Sequence, residues 1–441
     1  MDLLRGGAVL LLCIALIPGC AKRDEPVSGV GRPLSPGDPQ ATPPGEAAVS
    51  EGLRDTTEAP SEDVRSLAEG NAAFALDLLR AVGSDNANTM ISPHSISLAL
   101  AMAYAGAGGA TRDEMRKTLH FTLDDAKLHA ALGSLDLLLS RAAAPGKGSG
   151  DDMLFTLDIV NQMYAQKGLV VKPDYLDTLS VHYGAGLRLM DFAGDPNGAR
   201  RQINDWVAKR TRDRVKDLLP ERSVHELTTC VLVNAVYFLA RWMEEFEADR
   251  TKEQPFYPAE GEQVTVSMMH KTESMPYAEG LRYQAVSLSY RAKRPISMVV
   301  ILPEQGTLDS FLSSLDAARL RAILDALASR AVWLSLPKFE FESAFSLKDA
   351  LQGLGMTTAF EETADFSGIS DTPMWIEDVH HKTFVAVHEK GTEAAAATAV
   401  MMEKLGTPEE PAAMTVDHPF LFLIRDDESG EVLFLGRVTS P

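Results

Sequence analysis

The 441-residue chain carries 45% hydrophobic side chains, enough length and apolar content to bury one large core or two smaller ones. Its 62 acidic against 42 basic residues leave a formal charge of −20, which opposes binding to nucleic acid, heparin-like polyanions or an anionic membrane surface through a diffuse basic field. Of only 3 cysteines, Cys13 and Cys20 lie in the N-terminal segment, so Cys230 alone cannot build a disulfide framework or a thiolate-rich metal site in the rest of the chain.

Arg5 precedes an apolar run from Ala8 to Ile17, too short to span a bilayer as a mature helix, and residues 1–20 read as a signal peptide. The run closes on Ile17-Pro18-Gly19-Cys20, which resembles the lipobox of bacterial lipoproteins. That resemblance implies lipidation of Cys20 and anchoring in the cell envelope, on its periplasmic side or at the surface; ordinary secretion is the other reading. Residues 21–62 are polar and rich in Pro, Gly and Glu, and the composition predicts a disordered tether.

From about residue 63 the pattern becomes periodic. Phe74, Leu78 and Leu79 share one face at helical spacing, and Ser95 to Tyr104 forms a second helical segment, opened by Ser92-Pro93 and stopped by Gly106, Gly108 and Gly109. Strand-like runs follow at Cys230–Phe238, Ile296–Leu302, Val332–Leu336, His381–Val387 and Phe420–Ile424, with Val432–Leu435 as a possible partner of the last. Several are apolar throughout, as in strands buried on both faces. Helices followed by strands, without regular βαβ alternation, predict an α+β fold.

Motifs for catalysis are missing: the sequence has no H-E-x-x-H, no G-x-S-x-G and no phosphate-binding G-x-x-x-x-G-K-[ST]. Gly106-Ala107-Gly108-Gly109 begins like a dinucleotide fingerprint but follows a helix, and reads as that helix's stop. His380 and His381 are adjacent on a strand and so point to opposite faces, which argues against a shared metal and for a buried, hydrogen-bonded role for one of them.

Two readings are open for the segment from Glu389 to Pro408. Its alanines suit a helix. Taken with period two, Thr392, Ala394, Ala396, Thr398, Val400 and Met402 share one face and Glu393 and Glu403 the other, a face that starts small and ends large. Such a gradient suits a segment that enters a gap between strands from its Gly391 end.

Glu389-Lys390-Gly391-Thr392-Glu393-Ala394-Ala395-Ala396-Ala397-Thr398 resembles the hinge of inhibitory serpins. Further pieces match the same family in order: Asn71 with Phe74, Ile91-Ser92-Pro93-His94-Ser95-Ile96, Ile203-Asn204-Asp205-Trp206-Val207, Leu232-Val233-Asn234-Ala235-Val236-Tyr237-Phe238, Leu336-Pro337-Lys338-Phe339, Asp365-Phe366-Ser367, His381-Lys382, His418-Pro419-Phe420 and Phe434-Leu435-Gly436-Arg437-Val438. One departure is Leu239-Ala240-Arg241 before Trp242, where the family usually has Lys-Gly. The resemblance implies a serpin domain over residues 63–441: about eight or nine helices around three β-sheets, with an exposed reactive-centre loop near 389–410. It implies a monomeric suicide inhibitor, not an enzyme, that needs no cofactor or metal and whose partner is a serine protease held in a covalent complex. Counting from Gly391, the family's spacing places the scissile bond at Leu405-Gly406, which favours chymotrypsin-, elastase- or subtilisin-like targets, with Lys404 keeping a trypsin-like target open. A non-inhibitory binding or chaperone role, or inhibition of a trypsin-like or cysteine protease, is the alternative. Ser92, Ser95, Asn204 and His381 resemble the family's polar cluster beneath the sheet that opens.

Overall fold

In the computed structural model the described residues are 42–50, 52–83, 87–142, 144–145, 153–392 and 410–441. Helix Ser61–Val82 begins after Pro60 with Glu62 and Asp63 in its first turn, where acidic groups favour the helix dipole, and ends at Gly83 with Arg80 in its last turn. It buries Val64, Leu67, Phe74, Leu78 and Leu79. Helix Pro93–Tyr104 has proline in its first turn and is buried on every side, its apolar residues in the core and its polar His94 and Ser95 hydrogen-bonded within it. It stops where Gly106 meets Ile369, since a Cβ on Gly106 would lie 2.2 Å from the Ile369 side chain. Among the described residues there are nine α-helices.

The strands join into two sheets. In the first the order is Glu46–Ala48, Leu187–Met190, Met153–Gln166, Cys230–Arg241, Gly391–Thr392, Asp378–His388 and Phe339–Ser346, with Ala144–Pro145 beside Met153–Gln166. The second contains nine strands and includes the hairpin Phe420–Asp426/Val432–Val438, the pairing anticipated from sequence. Three sheets were expected. The hydrogen bonding makes two among the described residues because the long strand Val264–Gly280 pairs with Ala328–Pro337 along most of its length and with Tyr283–Ser289 at its end, carrying one ladder across both regions.

The expected tether also needs correcting. Glu46–Ala48 pairs antiparallel with Leu187–Met190 at the edge of the first sheet, and beyond it the Asp55 amide donates to the Val181 carbonyl (2.8 Å) and the Ala59 amide to Ser134 Oγ (3.0 Å). Composition misses this because residues 42–62 are held mainly by hydrogen bonds and an Arg54–Asp136 ion pair to distant parts of the chain, with only Ala48 and Ala59 packing on the core; residues 21–41 lie outside the described residues.

The main core lies between the sheets and around the central helix. A smaller one lies on the other face of the first sheet, where Ile203, Trp206 and Val207 of helix Pro196–Arg210 cover Val160, Val231, Val233 and Ala235. Within the main core Glu431 is fully buried and meets His94 Nδ1 (3.0 Å) and Asn71 Nδ2 (2.7 Å), joining the first two helices to the C-terminal hairpin. Removing His94 leaves the buried Glu431 side chain with the Asn71 contact but one hydrogen bond short. His94→Ala is therefore expected to cost about 1–3 kcal/mol, read as a lowered denaturant midpoint; a midpoint equal to the parent's would refute this account of the pair.

Candidate functional site: a parted sheet and its hinge

Strands Cys230–Arg241 and Asp378–His388 are neighbours with two relationships along their length. Val231–Val236 pairs directly, in parallel, with Asp378–Thr383. Further along they part, and Gly391–Thr392 lies between them, antiparallel to both: Gly391 opposite Arg241 and His388, Thr392 opposite Ala240 and Val387. The chain enters this gap by reversing after His388 through Glu389 and Lys390. Position 391 must be glycine, because its φ is +152° and a Cβ would lie 2.1 Å from the Ala240 carbonyl oxygen.

The mouth of the gap is tied at several points. Thr392 is buried and its hydroxyl meets that of Tyr290 at 2.8 Å. Tyr290 stacks on the Trp242 indole at 4.5 Å between ring centres, and Trp242 Nε1 donates to the His388 carbonyl (3.0 Å). The departure before Trp242 thus leaves its packing intact. Backbone amides of Trp242 and Phe246 donate to the carbonyls of Lys390 and Glu389 (2.9 and 2.8 Å). The Glu389 carboxylate accepts from Thr251 Oγ1 (2.8 Å) and pairs with Lys338 Nζ (3.1 Å). Burial alone raises the pKa of this carboxyl, but hydrogen bonds from its own backbone, Thr251 and Lys338, with the Lys338 charge, hold it below the usual glutamate range.

Where the two strands still touch, a polar latch crosses from one to the other. His381 sits directly opposite Asn234. The Ser92 amide donates to His381 Nε2 (3.1 Å), so the ring proton is on Nδ1, which donates to Asn234 Oδ1 (2.5 Å). Asn234 Nδ2 in turn donates to Ser95 Oγ (2.6 Å) and Asn161 Oδ1 (2.5 Å), and Ser92 Oγ donates to the Leu433 carbonyl (2.7 Å). Complete burial drives the His381 pKa down to about 3, so the ring is neutral. The latch thus ties two strands to the start of the central helix and to Met153–Gln166.

Of the residues grouped from sequence, Ser92, Ser95 and His381 meet in this latch and Asn204 does not. Asn204 Nδ2 donates to the Leu219 carbonyl (2.9 Å) and its Oδ1 accepts from the Leu219 amide (2.8 Å), so it braces the loop after helix Pro196–Arg210. That helix covers the opposite face of the sheet, and alternation along the strand sends Val233 and Ala235 to it but Asn234 to the main core. Asn161 and Asn234 are the members that sequence reasoning missed; Asn234 carries a signal, an amide side chain in the apolar run Cys230–Ala240, whereas Asn161 sits among Asp158 and Gln162 and carries none. His380 points the other way and is also buried, 3.6 Å from Asp378, with burial lowering its pKa. Among the described residues no group of three His, Cys, Asp or Glu side chains could hold a metal. Cys20, Glu393, Ala394, Ala395, Ala396, Ala397, Thr398, Leu405 and Gly406 lie outside the described residues.

Residues 69–441 match the family model described as "Serpin (serine protease inhibitor)". An uncharacterised serpin-like protein of Thermococcus kodakarensis is 40% identical over 84% of this chain and 84% of its own. The leukocyte elastase inhibitor of Bos taurus is 36% identical over 86% of this chain and all of its own. Among solved structures, the native state of the thermophilic serpin tengpin superposes with a TM-score of 0.78 at 27% identity, covering 90% of this chain and 100% of that one.

His381 also sets a pH dependence. An unfolded histidine titrates near pH 6.5 and the folded one at about 3, so the stability that the neutral latch contributes is complete above about pH 6.5 and is lost as the pH falls toward 3. His381→Gln can still accept from Ser92 and donate to Asn234 but does not titrate. The difference in melting temperature between parent and variant is expected to narrow or reverse from pH 7 to pH 4; parallel curves would show that His381 is not the group.

Proposed function

The chain belongs to the serpin family, and from that premise we propose that it is an irreversible suicide-substrate inhibitor of serine proteases that is cut at Leu405-Gly406. Members of this family are inhibitors of proteases rather than enzymes, and reactive-loop insertion as an added strand is their established behaviour. The observation that carries the reading is the hinge: Gly391 and Thr392 are seated between two strands that remain paired just ahead of them.

In the reaction the protease serine Oγ attacks the Leu405 carbonyl carbon. The Leu405-Gly406 bond breaks, Gly406 leaves as a free amine, and an ester joins Leu405 to the protease. The freed strand then advances into the gap. Insertion replaces the parallel ladder at Asp378–Thr383 with antiparallel pairing on both sides of the new strand, which satisfies more backbone groups and is slightly more stable per residue. Carried forward in the register of Thr392, Thr398 falls beside both Asn234 and His381, where its hydroxyl takes over the partners that the parting strands lose. The small residues Ala394 and Ala396 precede it, so the first steps open the sheet little. The inserted strand, thirteen residues on from Thr392 to Leu405, is about 40 Å long, and the protease ends at its far end. Displacement of the reacting atoms by even about 1 Å costs roughly 10²-fold in rate, and hydrolysis of the ester stalls.

Leu405 directs the inhibitor toward chymotrypsin-, elastase- or subtilisin-like enzymes, and Lys404 beside it admits a trypsin-like one. Lipidation of Cys20 would hold the trap at the cell envelope. Incubation with chymotrypsin is expected to yield an SDS-stable adduct and a released fragment that begins at Gly406; turnover of the chain without adduct would sink the trap, and a fragment beginning at Leu405 would move the cut by one residue. Expressed in a bacterial host, the parent is expected in the membrane fraction and Cys20→Ser outside it; equal partitioning of the two would remove the anchor.

A further inference from the structure

Trp333 lies in strand Ala328–Pro337, whose alternate residues Val332, Leu334 and Leu336 are buried while Trp333 faces outward at 49% exposure. An indole on a sheet is ordinarily covered by cross-strand neighbours. Here the residues opposite are Thr272 on one side and Ala413 on the other, and those beside it on its own face are Ala331 and Ser335. All four are small, so the ring stands above them.

Ala413 belongs to the edge strand Ala412–Thr415, which follows the reactive loop. Gly406 stands six positions before Ala412, a reach of at most about 20 Å. A serine protease domain of some 230 residues is about 45 Å across. With its catalytic serine at Leu405-Gly406, such a body comes within reach of this edge of the sheet. Trp is the residue type most enriched among interface anchors, and a lone indole amid small neighbours fits a shallow apolar recess on the partner.

We propose that Trp333 is a second contact for the target protease, an anchor outside the loop that raises the rate of docking. This rests on the protease-trap reading above and adds a specificity determinant to it. Trp333→Thr keeps a strand-forming residue at the position, and Ala413→Glu leaves the indole in place but sets a charge beside it. With the full chain and chymotrypsin, both variants are expected to lower the second-order rate constant of loop cleavage five- to thirtyfold, with melting temperature unchanged and the fraction of cleaved chain that ends in adduct unchanged. Rates within twofold of the parent for both variants would overturn the proposal. So would a concentration-dependent sedimentation coefficient that Trp333→Thr abolishes, since that would assign the patch to a second copy of the chain. If the parent is cleaved without adduct, the trap reading fails while the cleavage rates still report docking at Trp333; if neither chymotrypsin nor subtilisin cuts the loop, both fall together.

Discussion

One side-chain hydrogen bond, from His381 Nδ1 to Asn234 Oδ1, reinforces the parallel backbone ladder between strands Cys230–Arg241 and Asp378–His388. Everything on either side depends on its being made in the dark: both residues are fully buried, so neither can exchange its partner for water when the strands move. The ring is kept neutral by that burial, and its tautomer is set by the Ser92 amide on the far nitrogen. A core of leucines at these positions would hold the strands by packing alone, which has no particular geometry to lose. The polar latch instead makes closure directional and gives the strands a defined place to separate.

At the other end of the same two strands the balance is reversed. There the sheet is already parted, and the first residues of the hinge fill it, with Gly391 chosen by the closeness of the Ala240 carbonyl and Thr392 held by Tyr290. Glu389, Lys338 and Thr251 fasten the turn that feeds the hinge in, and Trp242 roofs it. Gly391 and Thr392 thus form a short added strand where its two neighbours have parted. In the proposed insertion the next step would cost the six-residue parallel ladder and the latch, and return antiparallel pairing on two sides.

Much of this was legible beforehand because it is local. The helices at Ser61–Val82 and Pro93–Tyr104, the apolar strands and the Phe420/Val432 hairpin follow from spacing, caps and breakers, which act over a few residues. Ser92, Ser95 and His381 were found as a group through family resemblance. Asn204 was wrongly placed with them and Asn234 left out, because which face of the sheet an amide reaches is decided by strand register against a helix far away in sequence. Residues 46–60 were misjudged for a related reason: their partners, an edge strand for Glu46–Ala48, the Val181 carbonyl for Asp55 and the Ser134 hydroxyl for Ala59, lie far along the chain, and composition cannot count them.

The class of fold and the family were legible from the sequence alone, since each is written in side-chain size, periodicity and the order of short motifs along the chain. Only the tertiary structure decided how far the hinge has entered the sheet, which amides complete the latch, where the N-terminal segment docks and that Trp333 stands uncovered. Those outcomes depend on the pairing of strands more than a hundred residues apart, as Thr392 with Ala240 and His381 with Asn234. A one-residue slip in either pairing would turn every side chain to the opposite face, and no local pattern records which register the folded chain selects.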